Sequence, residues 1–282
     1  MAITKLTNIS SYVNTIFEMA QLTAREETVM AGLVTGYTAQ GFMPRTIPLR
    51  AQATAASVSD GVDYNNPDTM SKSTLATLTP GEVIAQALLT DQEMETDPTG
   101  ATTQAGQELG LAIAYKVDVD LLTDMDSFAT DLGPGAGSSA DLQSFADCMA
   151  TLRTNLARPP YYVVLHPYHW HSIWSELGQP AATKVLLGDV ANSALRDYSV
   201  GEWLGASWFM SANIAIDAND DAVSGVFART ALALDIRRAM RIEPERDASL
   251  RATEMNATMG YAHGTYHSDH GCDYTADATA PS

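Results

Sequence analysis

The sequence predicts a mixed α+β protein. One long helical pattern occupies residues 99–128, and short alternating strand patterns lie on both sides of it, the clearest at 253–261. Charge adds a third observation. Residues 51–131 hold fourteen Asp and Glu against two Lys, whereas 226–251 hold six Arg against four acids.

Composition bounds the function. With 282 residues, 45% hydrophobic and 18% charged, the chain can fold around a substantial core in one or two domains. No apolar run approaches the ~20 residues that cross a bilayer, and Met1 to Ser11 lacks a signal-peptide layout, so no membrane association is expected. Two cysteines, Cys148 and Cys272, make no disulfide framework and suit a reducing cytoplasm, though the pair could bridge. A net charge of −18 disfavours nucleic-acid binding through phosphates.

Residues 1–36 read as a helix-compatible arm, with Val13, Ile16, Phe17 and Ala20 at helical spacing. Arg45 to Ala53 then alternates, with Ile47, Leu49 and Ala51 on one face. Turn chemistry fills Asp60-Gly61 and Asn65-Asn66-Pro67-Asp68, and alternation returns from Leu75 to Leu89. The expectation is a long two-stranded excursion with a polar tip, marginal alone in water.

The long helix opens at Asp97-Pro98, an N-cap followed by proline at the first helical position. Leu109, Ile113, Val117, Leu121 and Met125 form its stripe, broadened by Leu111, Tyr115 and Leu122. Asp118, Asp120, Asp124 and Asp126 fall mostly off that stripe. Gly133-Pro134-Gly135 ends the segment as a flexible loop. It lacks the Lys-Ser/Thr of a phosphate-binding loop.

Ser139 to Leu156 is a second amphipathic helix that Asp141 or Ser139 can cap. Tyr161 to Leu165 is a buried strand, His166-Pro167 a turn, and Tyr168 to Leu177 a short helix. A loop at 188–198 and an aromatic strand-and-turn at 201–216 complete a small α/β lobe. New strands begin at Gly225. Thr253, Met255, Ala257, Met259 and Tyr261 alternate with Glu254, Asn256, Thr258 and Gly260, and the tail from Thr275 reads as frayed.

This order resembles the major capsid proteins of tailed bacteriophages, with the HK97-like fold. The resemblance rests on the strand carrying Arg45-Thr46-Ile47-Pro48, the segment Thr90-Asp91-Gln92-Glu93, and the helix running to Asp118-Val119-Asp120-Leu121-Leu122. It continues through Tyr162-Val163-Val164-Leu165-His166-Pro167, Gly225-Val226-Phe227-Ala228-Arg229 and the strand ending Met259-Gly260-Tyr261. It implies an N-terminal arm (1–40), an extended loop (41–90), a peripheral domain (91–137 and 226–282) and an axial domain (138–225).

The resemblance also implies a non-enzymatic structural role. Copies would form hexamers and pentamers closing into an icosahedral shell around double-stranded DNA, without sequence-specific DNA binding. Scaffolding, portal and decoration proteins would be partners. Assembly would take place in the host bacterial cytoplasm, and the product would be the virion. Since the arm from Met1 is short, no cleaved pro-region is expected. An encapsulin-like compartment shares the fold and is the alternative.

Arg45, Arg50, Lys72, Arg237, Arg238, Arg241, Glu243 and Arg246 are the candidate subunit-contact residues. The arginines at 237, 238, 241 and 246 would neutralise carboxylates of a neighbour. In some family members a loop lysine forms an amide with a neighbour's asparagine, helped by a carboxylate; Lys72, Asn256 and Glu254 are the positional candidates. No cofactor is expected. A metal-dependent hydrolase would need the histidines. His166 and His169 share a helical face that His171 leaves, and surface or turn positions suit these three better. In a strand, His263 and His267 point away from His270 and Cys272, so one face cannot gather all four as zinc ligands without a bulge.

Overall fold

The computed structural model describes residues 29–51, 53–65, 67–96, 98–178 and 201–281. The 1–28 part of the arm, Asp97 as the helix cap and the 188–198 loop lie outside the described residues.

The long helix runs Pro98–Thr123 and continues as a 3₁₀ turn, Asp124–Ser127. Twenty-six residues at ~1.5 Å rise make a rod of about 39 Å. Its expected stripe is buried throughout: Leu109, Ile113, Val117, Leu121 and Met125 are all at most 5% exposed. Leu122 joins it, but Tyr115 is 57% exposed and Leu111 half-buried, so the stripe is narrower than the apolar letters suggest.

A four-stranded sheet lies against this helix. Its strands are β1 (Thr35–Thr38), β4 (Gly81–Thr90), β9 (Leu232–Asp247) and β10 (Ala252–Thr265), in the order β1-β9-β10-β4. The first half of the helix packs Ala101, Ala105, Leu109 and Ile113 on Leu89, Met240, Ile242, Met255 and Ala257. Its second half, from Val117, enters a core with Val164, Phe227, Leu232 and Tyr261. One helix therefore welds two sheets. β4 belongs here because Val83, Ala85, Ala87 and Leu89 face the helix; the sequence pattern placed it in the excursion.

The second sheet has the order β11-β8-β5-β7-β6, comprising β11 (Gly271–Asp277), β8 (Asp221–Ala228), β5 (Tyr161–Leu165), β7 (Ala206–Met210) and β6 (Glu202–Trp203). Helix Leu142–Thr154 packs on it, and Asp141 caps that helix by accepting from the Ser144 amide at 2.8 Å. Phe145 stacks on Tyr274 at 3.8 Å, with Trp170 and Trp208 in the same core.

β11 corrects two expectations. The tail is not frayed from Thr275: Tyr274, Ala276 and Ala278 are buried, because small and aromatic residues alternate into the core. The Gly133-Pro134-Gly135 loop is not loose. It is laced to β11 through Leu132 N to Asp273 O, Gly135 N to Thr275 O and Asp277 N to Ser138 O. A side chain at Gly133 would collide with the Thr275 backbone.

The excursion is a hairpin of β2 (Arg45–Arg50) and β3 (Lys72–Leu78), antiparallel, with Arg50 opposite Lys72. Its base is anchored: Ile47 and Leu78 are buried against Ala233 and Ala262. A register shift after Ile47 breaks the expected alternation, leaving Leu49 exposed. Every described residue from 53 to 71 is exposed and outside helix or strand.

Candidate functional site

The exposed apolar surface gathers on the excursion and on the outer face of β4. Val58, Val62, Tyr64 and Met70 project from the hairpin tip, and Ile84 and Leu88 from β4 are 63% and 49% exposed. A two-stranded hairpin with an apolar tip gains too little internally to hold itself in water. β4 is also a sheet edge ten residues long, with β10 on one side and no strand on the other among the described residues. Free edges and apolar tips are surfaces that a second chain can cover.

The outer face of the four-stranded sheet follows from the register. Glu82, Ile84, Gln86 and Leu88 of β4 lie opposite Gly260, Thr258, Asn256 and Glu254 of β10. These in turn lie opposite Arg238, Arg241, Glu243 and Glu245 of β9. Acidic and arginine-rich stretches thus meet inside one chain. Arg238 pairs with Glu82, and Arg246 grips Asp91 bidentately at 2.8 and 2.7 Å. Arg241 pairs with Glu243 at 3.3 Å and donates to Thr258.

Asp235, fully buried, holds Arg45 at 2.6 Å and Arg237 at 2.7 Å. The Arg45 guanidinium also lies 4.8 Å from the Tyr37 ring centroid, so this pairing fastens the hairpin base to β9. For Arg237, Arg238, Arg241 and Arg246 the carboxylate expected from a neighbour is supplied by the same chain: Glu82 and Asp91 reach Arg238 and Arg246 across the sheet, and Asp235 and Glu243 lie two residues from Arg237 and Arg241 on β9. Arg50 and Lys72 differ: exposed at the hairpin's outer end, they have no carboxylate partner among the described residues.

Three acids of the long helix and its 3₁₀ extension are likewise occupied internally. Asp118 is fully buried and accepts from the Met30 amide at 3.1 Å and the Asn213 amide group at 2.8 Å. Asp120 accepts from the Tyr261 hydroxyl at 2.7 Å and pairs with Lys116 at 2.6 Å. Asp124 meets His263 Nδ1 at 2.8 Å, and this bond holds the His263 pKa above its ordinary value.

The other histidines are placed differently from expectation. His166 and His169 are buried, not on the surface. His169 bonds Ser224 Oγ at 2.7 Å and Ala276 O at 3.1 Å, and burial pushes its pKa down to about 4. His171 lies apart, 6.2 Å from the Trp174 ring centroid. His267 and His270 stack on each other, while Cys272 points into the core toward Cys148. In β10, Asn256 has a buried Oδ1 without a partner among the described residues, and Glu254 accepts from Gln86 at 2.8 Å.

The sequence reading missed the anchoring acids Asp118 and Asp235. A signal existed for the second: Asp235 is a lone acid between Leu234 and Ile236 in an apolar run.

No protein-family model and no curated protein matches the chain. Solved structures do. A chain of Mycobacterium phage Che8 superposes with a TM-score of 0.66 at 19% identity, covering 88% of this chain and 90% of that one. The capsid structure of the cyanophage P-SCSP1u gives 0.67 at 13% identity, covering 89% of each. A virus-like particle from Pyrococcus furiosus gives 0.54 at 10% identity, covering 93% of this chain and 99% of that one. The architecture is the HK97-like capsid fold, α+β, over nearly the whole chain.

Proposed function

We propose that this chain is the major capsid protein of a tailed bacteriophage, a non-enzymatic subunit whose copies form hexamers and pentamers. These close into an icosahedral head around double-stranded DNA. The observation that carries the reading is a capsid fold shared over nearly nine-tenths of the chain, combined with a hairpin tip whose described residues are all exposed. Shell assembly gives that tip, the β4 edge and the exposed Ile84 and Leu88 a surface to cover. Arg50, Lys72, Arg241 and Glu243 are exposed and suit contacts between copies; Arg45, Arg237, Arg238 and Arg246 support those contacts by fixing the hairpin base and the sheet face.

An acidic container suits packaged DNA, because a wall of net charge −18 holds no phosphates by counterion release. Scaffolding, portal and decoration proteins are the partners this role requires, with assembly in the host cytoplasm and the virion as destination. An encapsulin-like compartment is the second reading, favoured by the likeness to the Pyrococcus furiosus particle.

Sedimentation velocity of the purified full chain, followed by analysis of nuclease-protected contents, tests both readings. Species far larger than a single ring, enclosing protected DNA after infection, are the expected result. Protein cargo in place of DNA would select the compartment. A stable monomer or dimer, even with candidate scaffolding proteins added, would refute both.

A further inference from the structure

The chain holds two cysteines in 282 residues, 124 positions apart, and the fold brings them to one place. Cys148 lies in helix Leu142–Thr154, on the buried face with Phe145, Met149 and Leu152. Cys272 lies in β11, against which that helix packs. Both are fully buried, in the core that also contains Trp208 and Tyr274. Cys272 Sγ is 3.9 Å from the carbonyl oxygen of Cys148, and the two thiols are hydrogen-bonded to each other.

A buried cysteine ordinarily serves as a small hydrophobe. This pair differs in two ways. Its thiols face each other, so the only two sulfhydryls of the chain share one contact in the middle of an apolar core. That contact is also asymmetric. Cys148 donates to the Cys272 sulfur, which holds the Cys272 pKa below its ordinary value against burial and against the charges of Asp273 and Asp131. The same contact, and then burial, pushes Cys148 up. Cys272 is therefore the better nucleophile of the two.

Burial selects the oxidant. Neither thiol is exposed, so a bulky disulfide such as oxidised glutathione is shut out of the folded chain. A peroxide is close to water in size and enters with small local openings of the packing. Turning each thiol about its Cα–Cβ bond then draws the sulfurs toward the ~2.05 Å of a disulfide.

We infer that Cys148 and Cys272 form a disulfide within the folded chain when it meets a peroxide, joining helix Leu142–Thr154 covalently to β11. With hydrogen peroxide the step runs in two parts. The Cys272 sulfur attacks one peroxide oxygen; an S–O bond forms, the O–O bond breaks, and the thiol proton leaves in a water molecule. The Cys148 sulfur then attacks the Cys272 sulfenic acid; the S–S bond forms, the S–O bond breaks, and a second water carries off the Cys148 proton. Two electrons pass from the two sulfurs to one peroxide. The bond closes a loop from 148 to 272, which restricts the unfolded chain strongly. Because β11 also laces the 132–138 segment, the staple fixes helix, sheet and that segment together. The inference concerns one folded copy and stands apart from the proposed shell role, so neither falls with the other.

The test treats the purified full chain, freed of reductant, with hydrogen peroxide. Peptide mapping without reduction should find one linked pair, Cys148 with Cys272, whose mass is about 2 Da below that of the two separate peptides. The oxidised wild type should melt at least about 5 °C higher than the reduced one. Cys148→Ala and Cys272→Ala, treated alike, should show no such gain, and they control for oxidation of the 12 methionines. In the folded chain reduced glutathione should remove the linkage at least about tenfold more slowly than in urea. The mapping and the reduction rates use the wild type alone, so a variant that fails to fold leaves the test intact. Cysteines that stay free, gain oxygen in place of linking, or link two chains would overturn the inference. Equal reduction rates in both conditions would place the linkage outside the core and overturn it as well.

Discussion

Replacing Asp118 with Ala should destabilise the chain by several kcal/mol without touching any exposed surface. The carboxylate is 0% exposed and accepts two hydrogen bonds, from Met30 N and Asn213 Nδ2. Removing it strands the buried Met30 amide and the half-buried Asn213 amide group, at ~1–3 kcal/mol each with the second toward the lower end. Part of that is returned because a buried charge no longer has to be desolvated. The net expectation is about 3 kcal/mol, a large share of the ~5–15 kcal/mol that holds a typical domain together. Urea unfolding of the unassembled chain, read by tryptophan fluorescence, measures it. A double-mutant cycle with Asn213→Ala should show coupling of ~1 kcal/mol or more, since the two groups touch. A loss below ~1 kcal/mol for Asp118→Ala, with no coupling, would refute the claim that this carboxylate ties the Met30 segment, the long helix and the 213 turn together.

Three further predictions concern pH and packing. The hydrogen bond to Asp124 favours the protonated form of His263, so its folded pKa lies above the unfolded value of 6.5. Its stabilisation is complete below about pH 6.5 and is lost as pH rises through the raised folded value; with the side chain 34% exposed, it amounts to under ~1 kcal/mol. The stability gap between wild type and His263→Ala, followed by urea unfolding, should therefore narrow toward alkaline pH. Asp273 is pushed up to about 7 by burial and then by the nearby Asp131 charge. Its ionisation thus costs stability as pH rises from its unfolded value near 4 through 7, and Asp273→Asn should flatten that slope and stabilise the chain at about pH 8. Gly271→Ala should cost ~1–3 kcal/mol, because its Cβ would lie 2.5 Å from the buried Phe128 ring. Gly36→Ala, with nothing within 4 Å, is the matched control, and melting curves compare the two.

The elements with strong periodicity were legible in the sequence. The long helix, the Asp141-capped helix, β5 and β10 all appear where spacing placed them, because each buries one apolar face and a period of 3.6 or 2 records that face. What the pattern could not carry was partnership. Strand 81–90 alternates equally well as a hairpin arm or a sheet edge, and only β10 decides. Small residues hid the burial of 275–278, since alanines in a tail look like linker until Phe145 and Trp208 are known to lie beneath Tyr274. The charge asymmetry between 51–131 and 226–251 was visible, but its resolution within one chain depends on β4 lying beside β10 and β10 beside β9, a non-local pairing. Leu156, left-handed at φ 59°, is invisible as a strained position from sequence, because left-handed geometry leaves no mark when glycine is absent.

The central claim is that this fold closes into a shell, and electron cryomicroscopy of particles purified from the expressed full chain tests it most directly. Closed icosahedral particles built of five- and six-membered rings, with each 53–71 tip seated on a neighbouring copy, are the predicted result. Particles absent under every assembly condition, with a monomer or dimer as the largest species, would contradict it.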